Sequence, residues 1–199
     1  MPDPKMLDTS YPEFVNERFT AADTTGSHIV FTNRGAEHAR IVMAKLVSGV
    51  SSSLDILSGH LSSLVYDEAL LRACANRLSP GKIRIIVSDK EIPIQTTALA
   101  GLKDEIHSGQ ILVKRLDLKA YPKTLNHFAL ADRKHIRAES DHQEMTAMVI
   151  LHADQRKVVG ADGIPTTVIS IYEQLFSVLW EGSFDYAPAV SEREKEIAA

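Results

Sequence analysis

Two hydrophobic rhythms alternate along the first two thirds of the chain. Short apolar runs occur at "HIVFTN" (28–33), "SLDILSG" (53–59), "KIRIIVSD" (82–89), "QILVKRLD" (110–117) and "TAMVILHA" (146–153). Their length and β-branched content predict strands. Between them, apolar residues recur at steps of three and four. Ile41, Ala44 and Lys45 share one stripe of "AEHARIVMAKLVSGV", and Val42, Leu46 and Val50 an adjoining one. Leu64, Glu68, Leu71, Cys74, Ala75 and Leu78 share a helical face closed by "SPG" (79–81). "TTALAGLKDEIHSG" offers Thr96 or Thr97 as an N-cap and Gly109 as a terminator. "NHFALAD" and "HIRAE" predict a hairpin turning through Asp132 to Lys134. A closing helix is expected after "ADG", with Pro165 near its first turn and Val168, Ile171, Tyr172, Leu175, Leu179 and Trp180 on its apolar face.

Strands and helices that alternate, then cluster into strands, then end in a helix predict an α/β domain with a mixed β-sheet flanked by helices. The expected division is an extended N-terminal arm over 1–27, the domain over 28–184 and a charged C-terminal tail over 185–199. The arm is polar and turn-rich, and the tail reads SEREKEIAA. With 44% hydrophobic and 24% charged residues, the composition suits a folded globular domain and excludes a disordered chain. No apolar stretch approaches the roughly 20 residues of a membrane span. The N-terminal MPDPKMLDTSYPEF has no apolar core of the signal-peptide kind. With a single cysteine, Cys74, no internal disulfide is possible. A cytoplasmic protein without membrane contact is expected.

The formal charge of −4 hides a segregation. Residues 112–137 carry Lys114, Arg115, Lys119, Lys123, Arg133, Lys134 and Arg137 against Asp117 and Asp132, an excess of five positive charges. Such a segment either faces phosphate or marks the solvated side of a sheet. Eight histidines invite a metal reading, but "AEHAR" and "DHQE" lack the i, i+4 pairing of HExxH, and no metal or cofactor is expected. His28, His107 and His152 fall near element ends and read as surface or capping residues, whereas His60 follows a strand end, where α/β sheets build sites. No GxSxG, Walker or GxGxxG motif occurs.

The order of "SLDILSGHL", "YDEALLRA", "PGKIRIIVSD", "QILVKRLD", "LNHFALADRKHIRAE" and a helix ending "FSVLWEGS" resembles one half-unit of the phospholipase D-like superfamily over roughly residues 28 to 184. That family typically carries HxKxxxxD: a histidine that attacks phosphorus, a lysine that binds phosphate oxygens and a supporting aspartate. Its small bacterial members with one motif dimerise so that two motifs meet. In this chain the motif is degenerate. Setting Asp132 on the family's aspartate puts Leu125 at the nucleophile and His127 at the lysine. Setting His127 on the nucleophile puts Ala129 at the lysine and Lys134 at the aspartate. The first register matches better, because "FALAD" fits the apolar strand leading to the aspartate.

The resemblance therefore implies a bacterial pseudoenzyme, a homodimeric binding or regulatory module for a nucleic acid or nucleotide, accessory to an effector protein. Lys114, Arg115, Lys123, His127, Arg133, Lys134 and Arg137 would supply the phosphate contacts. The alternative is a phosphodiesterase or nuclease with a rearranged site built from His127, Asp132, His60 and Glu139. A third possibility is a purely protein-binding structural subunit. Arg137 and Glu139 share a strand face, as a structural pair on the floor of the old site or as a new catalytic pair.

Overall fold

A computed structural model describes residues 10–88, 97–116, 126–141, 144–159 and 165–186. Strands β1 (Ile29–Asn33), β2 (Leu54–Ser58), β3 (Ile83–Val87), β4 (Ile111–Arg115), β5 (Phe128–Ala131), β6 (His135–Asp141), β7 (Thr146–Leu151) and β10 (Phe184–Asp185) form one sheet, in the order β1-β7-β6-β5-β2-β3-β4-β10. Strands β2, β3 and β4 are parallel and the other pairings are antiparallel, which is the mixed sheet that the pattern predicts. A two-stranded ribbon, β8 (Lys157–Val159) with β9 (Pro165–Thr167), lies apart from it.

Helices α1 (Tyr11–Thr25), α2 (Gly35–Gly49) and α3 (Glu68–Arg77) supply one apolar layer. Their Val15, Phe19, Val42, Leu46, Leu71 and Cys74 pack with Leu54, Ile56, Ile83 and Ile85 of the sheet. Helix α5 (Val168–Glu181) covers the opposite face, where Phe176 and Leu179 meet Leu57, Ile86, Phe128, Leu130 and Ile150. Apart from Asp55, Ser58 and Arg84, strands β2 and β3 are apolar, because both of their faces are covered. A 3-10 turn (Ala98–Leu102), capped by the Thr97 hydroxyl, leads into the short α4 (Lys103–His107).

Three expectations change. Residues 11–25 are helix rather than an extended arm, and they belong to the same packed unit as the rest. The Glu13 carboxylate accepts the Ser10 backbone N–H at 3.1 Å, and Val15, Phe19 and Ala22 recur at helical spacing on the buried side. Pro165 lies in β9 rather than in the last helix, which starts at Val168 because the Thr167 hydroxyl accepts the Ser170 N–H at 3.2 Å. The expected tail begins inside the fold, since Asp185 pairs with Lys114 through β10. Residues 187–199 lie outside the described residues.

Candidate functional site

The carboxyl ends of the parallel strands define one pole of the sheet. Ser58 ends β2, Val87 ends β3 and Arg115 ends β4, with Val87 and Arg115 in register. Strand β5 runs the other way, so His127 arrives at the same pole, and its carbonyl accepts the Glu139 N–H at 2.8 Å. Asn33 at the end of β1 completes the row through its pairing with Ala147. His60, two residues beyond β2, also lies at this pole, where its carbonyl accepts the Thr97 hydroxyl. The topology thus gathers His60, His127 and Glu139, three of the four residues expected in a rearranged site.

The chemistry there is a buried polar chain. Arg137 is 1% exposed, on the face of β6 that lies under the α1–α3 layer. It donates to Glu139 Oε1 at 3.1 Å and to Asn33 Oδ1 at 3.1 Å. The other Glu139 oxygen is 3.2 Å from His127 Nδ1. A buried guanidinium needs such compensation, because an unpaired charge in this layer would cost several kcal/mol. Tyr66, buried beside Ser58, feels both charges, and desolvation pushes its phenol up to about 12. Burial likewise raises Tyr11 to about 12, against the opposing charge of Arg137. Among the described residues, Arg137 Nη2 and the Tyr11 hydroxyl have no hydrogen-bond partner. The carboxylate lies against the imidazole, so His127 is an oriented polar group at this pole.

Asp132 does not belong to this group. It sits at the opposite pole, where its carboxylate accepts the backbone N–H of Ser51, Ser52 and Ser53 at 2.9, 2.7 and 3.1 Å and both the Ser51 and Ser52 hydroxyls at 2.9 Å. Burial alone would raise its pKa, but these bonds outweigh it and hold the carboxyl below its ordinary value. Asp132 and Arg133 both adopt left-handed backbone, with φ of 55° and 53°, as the tight β5–β6 turn requires. Asp132 ties that turn to the start of β2, and within one chain it lies at the other end of β5 from His127.

Nor do the basic residues form one surface. Arg115 lies at the His127 pole. Arg133 and Lys134 lie at the Asp132 pole, Arg133 paired with Glu173 at 3.1 Å. Lys114 packs on the α5 side, donating to the Trp180 carbonyl at 3.1 Å with its ammonium over the indole. Arg137 is buried and cannot touch a ligand from the surface. The reason is strand geometry: alternation sends Lys114 and Arg115 to opposite faces, and the reversal at residues 132–134 carries the charges to the far end. Lys123 and Leu125 lie outside the described residues.

Asn33, Ser58, Tyr66 and Tyr11 join the cluster without having been singled out in the sequence. They come from separate segments of the chain, and no local spacing links them.

No protein-family model and no curated protein matches the sequence. Solved structures do match in fold. The chain superposes on TrmBL2, an archaeal chromatin protein described with a novel mode of DNA binding, with a TM-score of 0.58 at 12% identity, over 87% of this chain and 60% of that one. It superposes on Nuc from Salmonella typhimurium, a phospholipase D family member, with a TM-score of 0.58 at 12% identity, over 81% of this chain and 100% of that one. It superposes on NucT from Helicobacter pylori with a TM-score of 0.54 at 9% identity, over 80% and 100%. Among the described residues no helix is long and apolar enough to cross a membrane.

Proposed function

The chain has the phospholipase D-like fold, and on that premise we propose that it is a non-catalytic module that binds a phosphate-bearing ligand, a nucleic acid or nucleotide, at the His127 pole. One observation carries this reading: the His127 imidazole is held by Glu139, which is itself held by buried Arg137. That chain gives a fixed polar floor with Arg115 at the same pole, the arrangement that suits recognition of a phosphate. The resemblance places leucine at the position of the attacking histidine, and leucine cannot form a bond to phosphorus. The reading includes homodimerisation, which would set two such poles against one ligand, and service as an accessory subunit to an effector protein.

A rearranged phosphodiesterase is the second reading. It is favoured by the same His127–Glu139 pair, because a carboxylate that orients an imidazole is what a general base needs. Fluorescent single- and double-stranded oligonucleotides titrated against salt test both. Under the first reading affinity falls with salt, drops severalfold in His127→Ala, and no phosphodiester is turned over. Turnover that disappears in His127→Ala would establish the second reading. Failure to bind nucleic acid or nucleotide at low salt would remove the first and leave the protein-binding alternative. Sedimentation velocity tests the dimer.

A further inference from the structure

The pole opposite His127 brings together three side chains that no stretch of sequence connects. Asp23 lies on the last turn of α1, His135 opens β6, and His152 follows β7. One ligand atom from each lies within 4.8 Å of the others. His152 is 5% exposed, adopts left-handed backbone with φ 52°, and its Nε2 has no hydrogen-bond partner. Burying such an atom unpaired is costly, and Asp23 Oδ1, at 3.8 Å, is too far for a hydrogen bond. Two ligand atoms sharing a tetrahedral zinc ion stand about 3.4 Å apart, so the gap needs only a small closure. The Asp23 side chain is 64% exposed and has room to make it.

We propose that Asp23, His135 and His152 bind one zinc-like divalent ion that clasps the end of α1 to the sheet. Two imidazoles and one carboxylate suit a first-row ion such as zinc better than calcium or magnesium, which favour oxygen. His135 Nδ1 accepts the His152 backbone N–H at 3.2 Å. Ligation through Nε2 moves the ring proton to Nδ1 and sacrifices that one hydrogen bond. A cavity of about 380 Å³ has Asp23 and His135 in its wall, along with Ser51, Ser52 and Asp132, and gives an ion access to that side of the cluster, with buried His152 behind it. The site is independent of the phosphate-binding reading, since it occupies the other end of the sheet.

Metal-stripped full-length protein titrated with Zn²⁺ by equilibrium dialysis, and with Co²⁺ followed by visible absorption, tests the site. One equivalent per chain is expected, with the Co²⁺ spectrum of a nitrogen- and oxygen-ligated ion. Asp23→Asn, His135→Gln and His152→Gln should each weaken binding by about 10–100-fold or more, and His107→Gln, exposed on α4, should leave it unchanged. Asp23→Asn alters an exposed, isosteric side chain, so it decides the matter even if a histidine variant fails to fold. Absence of stoichiometric binding to the wild-type chain, or equal affinity in Asp23→Asn, would overturn the proposal.

Discussion

His127 and Asp132 stand at opposite ends of the four-residue strand β5, one at each pole of the sheet. At about 3.3 Å per residue they are roughly 16 Å apart along the strand. Asp132 therefore ties the β5–β6 turn to β2, and the proposed binding site at His127 lies at the other pole. Asp132→Ala should destabilise the protein by about 2–3 kcal/mol, because three backbone N–H groups lose a charged acceptor. Asp132→Asn should cost less, since asparagine tolerates left-handed backbone and keeps one acceptor. Urea unfolding measures both. Ligand affinity of the folded variants should match wild type, and a selective loss of binding would return Asp132 to the site.

Arg137 and Glu139 make a contrasting prediction. Arg137→Ala leaves a buried carboxylate beside His127 and should cost about 3–5 kcal/mol. The double substitution Arg137→Met with Glu139→Leu removes both charges and should recover much of that loss. Unfolding free energies of Arg137→Met, Glu139→Leu and the double variant give the coupling energy. A coupling near zero would mean that the pair is not what compensates the guanidinium.

Stability should fall with acid in two stages. Burial first, then the charges of Lys134 and His152, lower His135 from its ordinary value to about 4, so the unfolded chain takes up a proton before the folded one does. Its contribution is complete above about pH 6.5 and is lost as pH drops toward about 4. After discount for partial solvent exposure, the loss is about 2 kcal/mol. Asp132, also depressed, adds to the decline below the ordinary carboxylate range. Thermal melts in chelator across this range should flatten between pH 6.5 and 4 in His135→Phe. An unchanged slope would show that other groups carry the acid sensitivity.

The alternating pattern exposed most of the sheet because each strand's burial is written in consecutive residues: "LDILS" and "IRIIV" could hardly be placed elsewhere. Helix α1 was less legible. Its apolar residues are few and widely spaced, and its start depends on the Ser10–Glu13 contact rather than on hydrophobicity. The basic segment misled for a different reason. A run of charge in sequence says nothing about direction, and one turn at residues 132–134 sends Arg133 and Lys134 away from Arg115. Alternate spacing placed Arg137 and Glu139 on one face, but whether that face met water or helices depended on α1 and α2 arriving from earlier in the chain.

The separation of those charges supplies the sharpest test of where a phosphate-bearing ligand sits. Arg115 ends β4 beside the His127 pole, whereas Arg133 pairs with Glu173 at the other. Arg115→Glu should weaken oligonucleotide binding severalfold and reduce the slope of log affinity against log salt by about 1, because one phosphate contact is lost. Arg133→Glu breaks an exposed ion pair worth under about 1 kcal/mol and should leave both affinity and slope at wild-type values. Fluorescence anisotropy at three or more salt concentrations separates these outcomes. The reverse pattern, with Arg133→Glu harmful and Arg115→Glu silent, would move the ligand to the far pole and detach the His127–Glu139 pair from binding.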